Sequence, residues 1–183
     1  HLPLIISSPH QSRRGVVSQA IVSWTDITPT ILDAAGVKPP ALPGRSLLPI
    51  LDDPNPAGWD RVFLSHTFHE VTMYYPIRGV RTRQYKYLWN LAHELPFAPA
   101  SDLYNSPTYQ GILRRGDDKL GERSFKAYVQ RPREELYDLG KDPKELHNLA
   151  DDPQHAAILA ELRQAVWQFQ KDTNDPWRVR QEY

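Results

Sequence analysis

"EELYDLGKDPKELHNLADDPQHAAILAELRQAVWQFQKDT", residues 134–173, decides the fold. It opens on a short strand candidate, "EELYDL", and turns at residues 141–143, where Lys-Asp-Pro supplies turn chemistry. The second half is the clearest helix in the chain. Asp152 is placed to cap it, and Pro153 fits its first position, where a missing N–H leaves no bond unmade. Ile158, Leu159, Leu162, Ala165, Val166 and Phe169 recur at helical spacing and form one apolar stripe. That stripe needs a surface to bury it, and the strands upstream can supply one.

"RVFLSHT" (61–67) and "IRGVRTRQYKYLWNL" (77–91) are those strands. Read as one extended run, the second sets Val80, Thr82, Gln84, Lys86 and Leu88 on one face, with Arg81, Arg83, Tyr85, Tyr87 and Trp89 on the other. A turn near residues 82–84 would split it into a hairpin. Residues 92–132 are long and irregular, with a short helix expected at 107–115. From about Trp59 onward the expectation is an α+β unit, 59–183: a small antiparallel sheet with one C-terminal helix packed on it.

Residues 1–58 read differently. "LPLIISS" (2–8) is a continuous apolar run of the kind buried parallel strands show. A short helix follows, with Ser23, Thr25 and Asp26 as starters, Pro29 in its first turn and Gly36 as its stop. Ile27, Ile31, Leu32 and Ala35 make its apolar face. "KPPALPGRSLLPILDDPNPAG" is a Pro-rich linker pinned by Leu47, Leu48, Ile50 and Leu51. The segment reads as an edge strand and helix of a larger α/β body, followed by a linker. It lacks a start Met and the layout of a signal peptide, so the chain is expected to be a piece of something longer.

Composition excludes several classes. The chain has 183 residues, with 22 basic and 22 acidic side chains, so no net charge draws it to nucleic acid or an acidic membrane. No apolar run is long enough to span a bilayer. There is no Cys, hence no disulfide, thiolate metal site or cysteine nucleophile.

The stretch richest in chemistry is "SHTFHEVTMYYPIRGVR", residues 65–81. His66, His69 and Glu70 can ligate metal, but zinc motifs favour an i, i+4 pair on a helix, and here the spacing is three after a β-rich run. A solvated loop with one capping His and a substrate-contacting loop are the other two readings. Arg78, Arg81, Arg83 and Lys86 alternate with aromatic residues, as in an anion or sugar site and as in any half-exposed strand. "TNDPW" (173–177) reads as turn chemistry alone.

Several stretches together resemble the C-terminal part of the sulfatase family. "ELYDLGKDPKELHNLADDP" (135–153) resembles its late strand-turn-helix signature. "VSWTDITPTILDAAGV" (22–37) with "LPGRSLLPIL" (42–51) resembles its preceding helix and linker. "HEVTMYYPIRGVR" (69–81), "SPTYQ" (106–110) and "TNDPW" resemble the branch that cleaves sulfamates of the N-sulfoglucosamine type. The resemblance implies an alkaline-phosphatase-like α/β body followed by a four-stranded antiparallel subdomain. It implies hydrolysis of sulfamate or sulfate ester groups on glycosaminoglycan-type sugars, with calcium and a formylglycine nucleophile. Ser7-Ser8-Pro9-His10-Gln11 approaches the formylglycine frame but has Gln11 where Arg is needed.

The nucleophile and calcium carboxylates are therefore expected upstream, in a catalytic domain that is this chain's partner, and the chain alone is expected to be inactive. What the resemblance carries onto this chain is substrate-pocket wall: His69 and Glu70, with His66 and Tyr75 beside them. Glu70 could instead pair with Arg78 or Arg81 to hold a domain interface, and those arginines are expected to order the sheet. The resemblance also implies export in a bacterium, or a lysosome in an animal; the absence of an Asn-x-Ser/Thr site favours the first. Two alternatives stand. One is a phosphatase of the same superfold. The other is a non-catalytic glycan-binding module, and pairing of two copies as a homodimer through residues 2–8 would weigh against it.

Overall fold

The computed structural model describes residues 2–9, 11–38, 40–70 and 73–181, with side chains through Arg178. The chain divides into two compact units, residues 1–62 and 63–183.

The first unit is organised by one capped helix. Ser23 caps the turn 24–26 in a capping box: its own N–H donates to the Asp26 carboxylate at 2.8 Å. Helix α1 (Ile27–Ala34) follows, and Gly36 ends it at φ +68°, a left-handed conformation that glycine adopts without strain. Asp26 also accepts from the Arg45 N–H at 2.9 Å, and the Thr30 hydroxyl accepts from the Leu47 N–H at 2.9 Å. These bonds pin the Pro-rich stretch and bury Leu47. Arg45 closes it by lying 3.8 Å over the Trp59 ring.

Residues 2–8 do not form the expected strand, and Ile5 is 91% exposed. A strand needs a neighbouring ladder to pair its N–H and C=O groups, and no described segment of this unit provides one. The apolar face of α1 is likewise open. Ile27, Ile31 and Ala34 line a groove of about 390 Å³ with Ile5, Ile6 and Leu48.

The second unit is a four-stranded sheet in the order β1 (Arg61–Phe68), β2 (Tyr74–Thr82), β3 (Tyr85–Asn90), β6 (Glu134–Asp138). Between β3 and β6 lie helices α2 (Ser101–Tyr104), α3 (Pro107–Arg115) and α4 (Phe125–Val129), with the small ladder β4 (Lys119–Leu120) and β5 (Arg123–Ser124). Helix α5 (Ala156–Asp172) closes the fold after Asp152 caps the turn at 153–155.

The β2–β3 connection corrects the single-strand face assignment. Pairing is antiparallel with Val80 opposite Tyr87 and Gly79 opposite Leu88. A two-residue loop reverses the chain, so even positions before it share a face with odd positions after it. Val80, Tyr87 and Trp89 therefore lie together, joined by Leu136, under Leu159, Leu162 and Val166 of α5. Each such buried side chain contributes about 1.5–3 kcal/mol. Phe169 adds a stacked contact on Phe63 at 4.3 Å. Arg163 of α5 fastens the sheet by two 2.7 Å bonds to Glu134, which also accepts from the Tyr87 hydroxyl at 2.6 Å.

Candidate functional site

The polar loop connects the end of β1 to the start of β2, and each flank is fixed differently. His66 sits on β1. Its carbonyl accepts from Arg78 Nη1 at 2.8 Å, while its ring Nε2 is buried without a hydrogen-bond partner. Burial first, then the nearby charges of His69, Arg78 and Arg131, holds the imidazole below its ordinary pKa, favouring the neutral ring. His69 follows in a bend and is exposed.

Glu70 is half-buried, and its role differs from the interface ion pair weighed above. One carboxylate oxygen accepts from the Ser101 N–H at 2.9 Å and the Ser101 hydroxyl at 3.0 Å. It thus serves as an external cap for α2, the place where orphan helix N–H groups favour an anion. The Met73 N–H bonds back to the Glu70 carbonyl at 2.9 Å.

Tyr75 is fully buried, edge-on to Phe97 at 5.1 Å. Its hydroxyl has no partner, and burial raises its pKa. Behind it lies a charged network: Glu135 accepts from Arg131 Nε at 2.8 Å and Nη2 at 3.1 Å, from the Tyr137 hydroxyl and from Asn90 Nδ2. Burial alone would raise the Glu135 pKa, but those donors outweigh it and hold the carboxyl below its ordinary range. Of the four side chains expected at a pocket, His69 and Glu70 thus lie at the loop surface. The ring of Tyr75 and Nε2 of His66 lie inside.

Arg78 does order the sheet. It is buried, and its acid is Asp175, bonded through Nε at 2.5 Å and Nη2 at 3.1 Å. Sequence reading missed Asp175, because it stands in "TNDPW", 97 residues from Arg78. Its only local signal is an acid just past an amphipathic helix. Among the described residues no group of three or more His, Cys, Asp or Glu could hold a metal ion. No helix among them is long and apolar enough to cross a membrane.

Comparison with known proteins defines the class. The chain is 43% identical to human N-sulphoglucosamine sulphohydrolase over 96% of its own length and 37% of that relative's. It is 30% identical to an N-acetylglucosamine-6-O-sulfatase of Bacteroides thetaiotaomicron, over 96% of this chain and 26% of that one. A structure solved in complex with its substrate D-glucosamine-2-N,6-O-disulfate superimposes with a TM-score of 0.65 at 27% identity, covering 96% of this chain and 29% of that one. A 2-O glycosaminoglycan sulfatase superimposes with a TM-score of 0.57 at 28% identity, covering 84% and 26%. The fold and sequence are similar to those of part of a sulfatase. The profile of one family, described as N-sulphoglucosamine sulphohydrolase, C-terminal, matches residues 1–120, and the chain belongs to that family. It spans about a third of the length of the curated relatives it matches, 37% and 34% for two of them.

Proposed function

We propose that this chain is the C-terminal part of an enzyme that hydrolyses sulfamate groups on glycosaminoglycan-type sugars, with N-sulfoglucosamine as the favoured substrate. The observation that carries this reading is the 43% identity to human N-sulphoglucosamine sulphohydrolase across 96% of the chain. The sulfated glucosamine in the superimposed complex supports the same substrate class. In this reading residues 1–58 finish the α/β catalytic body and its linker, and residues 59–183 form the C-terminal subdomain. The likeness to sulfatases brings with it export in a bacterium or a lysosome in an animal.

The residues here do not fit the calcium or formylglycine sites. No described cluster could hold a metal, and no serine stands in the formylglycine frame. Those groups belong to the remaining part of the polypeptide, and residues 1–183 alone are inactive.

The β1–β2 loop is this chain's share of the pocket wall. His69, exposed and able to donate, reaches a sulfate or hydroxyl oxygen. Glu70 keeps one oxygen on Ser101 and offers the other to a sugar hydroxyl. His66 and Tyr75 back the wall from inside. The test is steady-state hydrolysis of N-sulfoglucosamine by the full-length enzyme carrying His69→Ala or Glu70→Gln. A raised KM is expected for both, since a wall contact is made in ground state and transition state alike. Unchanged KM in both folded variants would sink the wall assignment.

A further inference from the structure

The segment after α5 bonds to both flanks of the candidate loop. Asn174 takes a left-handed backbone at φ +50°, which Asn tolerates better than most residues, and this turns the chain back toward the sheet. Asp175 is buried and collects four donors. They are Arg78 Nε, Arg78 Nη2, the Trp177 N–H at 2.9 Å and Gln170 Nε2 at 3.3 Å. The same Arg78 donates through Nη1 to the carbonyls of His66 at 2.8 Å and Ile77 at 2.9 Å. One buried guanidinium therefore ties residue 175 to the β1 side of the loop. On the β2 side, the Trp177 indole N–H donates to the Tyr74 hydroxyl at 3.1 Å, across 103 residues. The Trp177 ring also lies beside Arg78, 5.3 Å away.

We infer that residues 174–177 are a positioning clasp for the loop that carries His69 and Glu70. Asp175 acts through Arg78 on His66, and Trp177 acts on Tyr74. None of the clasp residues touches substrate. They set where the loop stands, and a misplaced wall loses affinity for the sugar rather than the chemistry of the sulfur. The inference rests on the proposed wall role of the loop.

The test separates the two. Removing Asp175 leaves a buried, unpaired Arg78 and endangers folding, so the decisive variants are milder. Tyr74→Phe removes one neutral hydrogen bond and keeps its ring, whereas Trp177→Phe removes the same bond and also shrinks the indole beside Arg78, so Tyr74→Phe is the cleaner of the two. Both are measured in the full-length enzyme with N-sulfoglucosamine, beside His69→Ala. The clasp predicts that each raises KM by about 5-fold, the worth of one such bond, with kcat within about 2-fold of the parent. The double variant should be no worse than Trp177→Phe alone, because the bond that Tyr74→Phe deletes is already gone. If His69→Ala raises KM while Trp177→Phe and Tyr74→Phe leave it unchanged, the clasp is overturned and the wall stands. If His69→Ala and Glu70→Gln also leave KM unchanged, the wall assignment falls and takes the clasp with it.

Discussion

Arg78 and Asp175 form a buried pair with side chains only 4% and 7% exposed, so the cost of breaking it can be worked out. Arg78→Met keeps the length of the side chain and removes every donor. Asp175 is then a buried carboxylate that has lost two of its four bonds, retaining only the Trp177 and Gln170 N–H groups. Asp175→Asn keeps the shape and removes the charge, leaving the guanidinium buried without a counter-ion. Each single change should cost about 3–5 kcal/mol, the range for stranding one member of a buried pair. The double variant Arg78→Met with Asp175→Asn strands neither charge. Its cost should be well below the sum of the singles, giving a coupling energy of about 2–3 kcal/mol. Urea unfolding of the full-length protein, followed by tryptophan fluorescence, measures this, because Trp177 lies beside Arg78. Additive costs, or singles below about 1 kcal/mol, would show that solvent reaches the pair and that it does not hold the sheet to the segment after α5.

Three further outcomes follow from the same packing. Gly79→Ala would place a Cβ 2.5 Å from the Tyr87 carbonyl oxygen and 2.8 Å from Leu88 Cδ2. Because the nearest atom is backbone, the hairpin itself must shift, and a loss of about 1–3 kcal/mol is expected in the denaturation midpoint; an unshifted midpoint would refute the register. Leu162, fully buried between α5 and the sheet, should lose about 3–5 kcal/mol on truncation to Ala, and a loss under about 1 kcal/mol would mean that α5 does not seal this core. His66 has its pKa lowered from 6.5, so below that pH the unfolded chain takes up the proton first. Stability present above pH 6.5 is therefore lost as pH falls through the folded value, and His66→Gln should flatten the fall in melting temperature; an unchanged slope would assign it to other groups.

Much of the fold is legible because its signals are local. The α5 stripe, the Asp152 cap and Pro153 sit within a few residues of one another, and periodicity reports them directly. The helix at Pro107–Arg115 shows the same economy, with Ser106 capping it and Gly116 ending it at φ +67°. The hairpin faces differ from plain alternation because parity across a turn depends on loop length, which alternation alone does not reveal. Residues 2–8 carry a strand's composition, but composition does not supply the neighbour a strand needs. The site was harder still. Aromatic residues on a strand look alike whether they face a pocket or the core, so Tyr75 reads as a pocket-wall residue until Phe97 is seen to cover it. Asp175 and Arg78 meet only through the fold.

The central claim concerns which bond the whole enzyme cuts. The most direct measurement is sulfate release by the full-length protein from N-sulfoglucosamine, beside 6-O-sulfated glucosamine, with calcium present and with residues 1–183 assayed alone. The account predicts N-linked sulfate released by the full-length protein and none by residues 1–183. Release of O-linked sulfate only, or any release by residues 1–183 alone, would contradict it.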